Sequence, residues 1–159
     1  MSARAESLAK QFEGRAAEMA HTIEKLTDAD WKKIAAGEKW SVGVTAHHVA
    51  GAHEMIAGMA KKVADGQAMP PYTMAMLDEG NAQHAREHAN CTRAETLALH
   101  RSRAAAASAI VRGLPDAHLD HSGTLLTGMP PMTVQQIVES ILIGHVNEHL
   151  GSIRATVGH

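Results

Sequence analysis

Apolar residues recur at intervals of three, four and seven along most of this chain, and nowhere do they alternate long enough to make a strand. That periodicity restricts the fold to packed helices. Leu8, Phe12, Met19, Ile23 and Leu26 mark a first helix over about 4 to 26. Ser41 is a good N-cap for a second, about 42 to 65, with the stripe Val44, His48, Ala52, Met55, Met59 and Val63. A third helical region covers about 74 to 112. It breaks near Asn90, because Thr92-Arg-Ala-Glu95 is a capping box that restarts a helix. Thr133-Val-Gln-Gln136 caps the last helix, about 134 to 157. Its stripe is Ile137, Ile141, His145 and His149, with Val138 and Ser152 alongside.

The breakers agree with these limits. Pro70-Pro71, Gly113-Leu-Pro115 and Gly128-Met-Pro130-Pro131 all fall between helices. Thr27-Asp-Ala-Asp30 reads as a capping box with Asp in place of the usual Glu, and it starts a short turn carrying Trp31. Four amphipathic helices of roughly 20 or more residues predict an all-α four-helix bundle, one domain over residues 1–159. The segments 27–40 and 113–132 are long enough to be crossover connections, but helix order and handedness stay open.

Composition narrows the function classes. The formal charge of -2 gives no electrostatic grip on nucleic acid or an anionic membrane. Aromatics at 3% do not make a base-stacking platform. No run approaches the roughly 20 apolar residues of a membrane span, and the first residues have no signal-peptide core. A single cysteine, Cys91, precludes an internal disulfide. Together these predict a cytoplasmic protein, with Cys91 a structural or surface thiol. The nine methionines read as core filling.

The unusual feature is 12 histidines in 159 residues, since His is the commonest metal ligand. His145 and His149 lie four apart, so on a helix they point about 40° from one another and sit about 6 Å apart along the axis. They share a face with Ile137 and Ile141, which must be buried. Buried imidazoles need partners, because an unsatisfied polar group costs about 1–3 kcal/mol. Either the bundle supplies acceptors for both, or one ion satisfies both. A third ligand is expected from another helix. His47 and His48 point about 100° apart, and only His48 is in phase with Val44, Ala52, Met55 and Met59. His47 is left as surface or second shell, and His53, about 140° from His48, is not expected to join it.

The outcome is a three-histidine site, His48, His145 and His149, with open positions for water or substrate, the pattern of a catalytic metal. Neutral imidazoles suit Zn²⁺, Ni²⁺, Cu²⁺ or Fe²⁺. Zn²⁺ leads on base rates and Ni²⁺ follows. His84 and His88 repeat the spacing, but their surroundings, NAQHAREHAN, are polar on nearly every side, so they read as a solvated face. His118 and His121 fall in a loop. No Gly-rich phosphate loop, Gly-x-Ser-x-Gly elbow or His-Glu-x-x-His motif is present.

Trp40-Ser41 followed by Ala46-His47-His48, and the later His145-Val-Asn-Glu-His149-Leu-Gly-Ser-Ile-Arg154, resemble signatures of the DinB-like (damage-inducible) superfamily. That superfamily includes mycothiol- and bacillithiol-dependent transferases. The resemblance implies a four-helix bundle with one divalent metal held by three histidines of the second and fourth helices, at positions that match His48, His145 and His149. The superfamily often has Gln where this chain has Ser152. Helix-to-helix pairing into a homodimer is also implied, and the small-residue run Ala104 to Ala107 permits close approach, though internal packing accounts for it equally.

Three functions follow as expectations. The resemblance suggests transfer of a low-molecular-weight thiol cosubstrate to a small electrophile, since a metal lowers the pKa of a coordinating thiol. Glu148, three residues from His145, is the candidate general base or anchor, and Arg154 a candidate to attract an anionic substrate. The alternatives are metal-assisted hydrolysis with the same residues, and a non-catalytic metal- or ligand-binding stress-response bundle.

Overall fold

The computed structural model describes residues 2–158. Each main helix begins where a side chain satisfies a free backbone N–H. Ser2 accepts from Ala5 N at the start of α1 (Ala3–Lys25). The Thr27/Asp30 capping box opens the short α2 (Asp28–Lys32). Ser41 accepts from Val44 N to start α3 (Val42–Ala64), and Thr73 caps α4 (Met74–Glu87). The Thr92/Glu95 box opens α5 (Arg93–Arg112). Caps of this kind contribute about 1 kcal/mol each. The Thr133/Gln136 box opens the final helical segment, which runs unbroken through α6 (Val134–Gln136), a π-helical stretch (Ile137–Ile143) and α7 (Gly144–Val157). The expected third helical region is thus two elements, α4 and α5, divided at the expected break.

The four long elements form the all-α bundle. α5 packs on α1 and α3, and the last helix packs on the same two from the other side. The order round the bundle, open from the sequence, is therefore α1, α5, α3, α7. Phe12, Met19 and Ile23 of α1 meet Val49 and Ile56 of α3, Val111 of α5, and Leu150 and Ile153 of α7 in one core. Burying a side chain of this size contributes about 1.5–3 kcal/mol. The first connection carries α2. The second carries a 3₁₀ turn (Asp116–Asp120) and two short strands, β1 (Ser122–Gly123) and β2 (Met132–Thr133). These pair antiparallel, Ser122 opposite Thr133 and Gly123 opposite Met132.

Two readings of side-chain direction need correcting. On α3, Met55 is exposed and the buried arc includes Ala46, Val49, His53, Ile56 and Ala60. That helix is wedged between α5 and α7, so its buried arc is wide, and His48 stands at its margin. In the last helix the π stretch resets the phase. Its i→i+5 bonding buries residues five apart, Ile137 with Leu142 and Val138 with Ile143. From there Leu142, Val146, Leu150 and Ile153 make the core face at spacings of four, four and three. Ile141 falls to the edge of the core. Met74, Met76 and Met129 are exposed as well, so methionine is only partly core filling here. α4 buries none of its residues, and Met74 and Met76 belong to it.

Candidate metal centre

α3 and α7 lie side by side, and the phase reset upstream of α7 turns His145 and His149 toward His48 at the margin of the core. One ring nitrogen from each of the three lies within 4.8 Å of the others. His145 Nε2 and His48 Nε2 are 2.9 Å apart. Ligand nitrogens sharing an ion at about 2.0–2.1 Å sit about 3 Å from one another, so this separation suits a shared ion. The His48 ring is 5.1 Å from that of His149, and the His145 and His149 rings are 4.5 Å apart, all edge-on. Trp40 closes one side, its ring 5.2 Å from His48.

Burial keeps His48 and His145 uncharged. His48 is lowered to about 4, first by desolvation and then by the neighbouring His149. His145 is lowered to about 2 by desolvation, with His149 and His48 adding to it. Both are therefore neutral at pH 7 with a lone pair free, the form that binds metal. Their facing Nε2 atoms can share one proton, or offer two lone pairs to a cation. The second arrangement places both protons on Nδ1.

A carboxylate that sequence reasoning missed sets the third imidazole. Glu38 Oε2 accepts from His149 Nδ1 at 2.7 Å, and Ser152 Oγ donates to Glu38 Oε1 at 2.5 Å. Glu38 and His149 are both close to fully buried, with side chains 8% and 11% exposed. Holding the proton on Nδ1 leaves Nε2 of His149 as a lone pair, the carboxylate–histidine arrangement that orients metal ligands. Glu38 sits in the turn between Ala35 and Trp40, whose ends are tied by Ala35 N to Trp40 O at 2.8 Å and by Lys39 N to Ala35 O at 2.9 Å. Gly37 lets this turn approach α7, since a Cβ there would lie 3.3 Å from Ser152 Oγ. Lys39 takes up a left-handed φ of 66° to aim it, a conformation that costs a non-glycine residue roughly 1–2 kcal/mol. Ser152 thus has a defined partner in the place where the superfamily often carries Gln. Three imidazoles, one oriented by a buried carboxylate, fit a borderline divalent ion such as Zn²⁺ or Ni²⁺.

Glu148 is exposed and makes no hydrogen bond to the three histidines among the described residues. Arg154 pairs with Glu18 at 3.5 Å. His53 is fully buried elsewhere, with its Nε2 2.9 Å from His100 Nδ1, and His100 Nε2 donates to the Ala16 carbonyl at 2.8 Å. His121 Nδ1 donates to the Ala64 carbonyl at 2.7 Å from the expected loop. His47 is not a surface residue: it is only 8% exposed. His84 and His88 are not a solvated face, because both are half-buried against His47. Their polar flanks follow from α4 having no core face of its own. Leu77, Ala82 and Ala85 are only half-buried, too thin a stripe to reveal which side meets α3.

The sequence matches the DinB superfamily profile over residues 11–153. The fold is similar to the crystal structures of the mycothiol-dependent maleylpyruvate isomerase and of a histidine-to-alanine variant of that enzyme. Each has a TM-score of 0.75 at 12% identity, over 94% of this chain and 60% of that one. The chain therefore spans about 60% of the length of those structures, and at this identity the likeness is one of fold. No curated protein matches the sequence. Among the described residues, no helix is long and apolar enough to cross a membrane. A profile match across nearly the whole chain, on a helical bundle of this architecture, shows that the protein belongs to the DinB superfamily.

Proposed function

We propose that the protein is a metal-dependent enzyme that joins a low-molecular-weight thiol to a small electrophile. The observation that carries the reading is the convergence of His48, His145 and His149 within 4.8 Å, with Glu38 fixing the tautomer of His149. Support comes also from the fold it shares with an isomerase named for its use of mycothiol. In this reading the three imidazoles are the protein's ligands to one divalent ion, Zn²⁺ before Ni²⁺. When bound, such an ion supplies acidity, lowering the pKa of a coordinating thiol toward neutrality.

The chain's own residues do the rest. Glu38 and Ser152 hold His149 in one orientation. Trp40 gives the margin of the site an apolar wall beside His48, which keeps part of the first coordination region dry. Glu38 already accepts from two groups, so it acts as a positioning residue, and the proton given up by the thiol would pass to solvent water. The protein acts on small molecules in the cytoplasm, and a homodimer is part of the same proposal.

The test is turnover. Zn²⁺-loaded protein is mixed with mycothiol, bacillithiol or glutathione and with maleylpyruvate, epoxides or chlorinated aromatics. Product formation that needs a thiol and disappears in His48→Ala is the expected result. Tight metal uptake, with no thiol altering the visible spectrum of the Co²⁺-substituted protein and no turnover, contradicts it.

A further inference from the structure

α4 poses a packing question. It is a helix of 14 residues with no buried side chain, joined to α3 through the Pro70-Pro71 connection. An amphipathic helix normally docks by burying an apolar stripe, and α4 only half-buries Leu77, Ala82 and Ala85. It also meets α3 through imidazoles. His84 Nε2 lies 2.8 Å from His47 Nδ1. The His88 ring stacks on that of His47 with centroids 4.1 Å apart, and the His84 and His88 rings are 4.7 Å apart. One ring nitrogen from each of the three falls within 4.8 Å of the others, the same criterion the first triad meets.

We propose that His47, His84 and His88 form a second divalent transition-metal site, next to the first, which fastens α4 to α3. The chemistry of the donors selects the ion class. Three imidazoles with no thiolate and no carboxylate among them suit Zn²⁺, Cu²⁺ or Ni²⁺, and exclude Mg²⁺ and Ca²⁺, which take oxygen ligands. His84 Nδ1 is buried without a hydrogen-bond partner among the described residues. The other ring nitrogen, Nε2, is the one that faces His47 and would be the ligand atom. The i,i+4 spacing brings His84, in the last turn of α4, and His88, its C-cap, to one side. His47 is held rigidly on α3, where it is almost fully buried.

The two triads are back to back. His47 and His48 are consecutive on α3 and point to different sites, and the His84 ring reaches to 5.7 Å from that of His48. A single dipeptide thus serves both. Loading the second site orders the helix whose His84 borders the first. The site needs nothing from the thiol chemistry proposed above, and stands or falls separately.

The experiment uses untagged full-length protein, dialysed against Zn²⁺ and analysed for metal, beside His84→Ala, His88→Gln and His145→Gln. α4 has no fully buried residue, so substitutions at its end leave the bundle folded. Amide hydrogen exchange of residues 74–87 is followed with and without Zn²⁺. Two equivalents in the wild type, one in each variant, are expected. Exchange in α4 slows at least tenfold on loading in the wild type and in His145→Gln, and stays fast in His84→Ala. One equivalent in the wild type, unchanged in His84→Ala, overturns the second site. So does retention of both equivalents in His84→Ala and His88→Gln. Loss of an equivalent in His145→Gln without change in α4 exchange belongs to the first site alone.

Discussion

His149 Nδ1 donates to Glu38 Oε2 at 2.7 Å, joining a carboxylate from a six-residue turn to an imidazole on the last helix. Both side chains are nearly buried. With the Ser152 bond to the same carboxylate, this hydrogen bond links the first crossover to the last helix, and it decides which nitrogen of His149 is free. It turns a pair of histidines on one helix into an oriented donor set.

Removing that bond is expected to weaken metal binding without unfolding the protein. Glu38→Gln keeps the shape but loses the charge that holds the Nδ1 proton. Oriented carboxylates of this kind are worth roughly 10- to 100-fold in metal affinity. Ser152→Ala, which leaves Glu38 its bond to His149, is expected to cost less. Glu148→Gln is expected to leave affinity unchanged, because Glu148 is exposed. Competition against a chromophoric chelator ranks the three. Equal affinities for wild type and Glu38→Gln contradict the role given to Glu38.

The seating of α2 on α3 depends on a glycine. A Cβ on Gly43 would lie 2.5 Å from the Trp31 ring. Trp31 in turn donates from Nε1 to the Cys91 carbonyl at 2.9 Å, tying α2 to the start of α5. Gly43→Ala must displace that ring. The expected loss is about 1–3 kcal/mol, the usual range for overpacking, seen as a lower urea midpoint with a red-shifted tryptophan emission. An unchanged midpoint contradicts the contact.

The buried imidazoles make the metal-free protein sensitive to acid. His53 is lowered to about 3 by desolvation and the neighbouring His100, and His100 is also lowered by burial. His48 and His145 shift the same way. The unfolded chain takes up protons near pH 6.5, while the folded chain stays neutral at these positions until well below that. The unfolded state therefore binds more protons in the interval, and stability falls as pH drops from about 6.5 toward about 4. The slope is about 1.4 kcal/mol per pH unit for each such group. Urea titrations of the apo protein at pH 7.5 and 5.5 check this, and equal midpoints contradict it.

Much of the fold is legible in the sequence, for identifiable reasons. The caps at Ser41, Thr92 and Thr133 act through local hydrogen bonds, so they show in the residues themselves. His48, His145 and His149 come together because two long helices fix their phase to within a turn. The π stretch was hidden, although Ile137/Leu142 and Val138/Ile143, buried pairs five apart, carry its trace. Glu38 was invisible because a turn has no period, and only tertiary packing brings it under α7. His84 and His88 misled for the opposite reason. α4 docks by polar rings, so a search for apolar stripes reads its contact face as solvent.

The most direct test of the first centre is the zinc content of untagged protein after equilibrium dialysis, wild type beside His145→Ala, with helicity checked by circular dichroism. The predicted result is one equivalent fewer in the variant at unchanged helicity. Equal zinc in the two proteins would contradict a centre built on His48, His145 and His149.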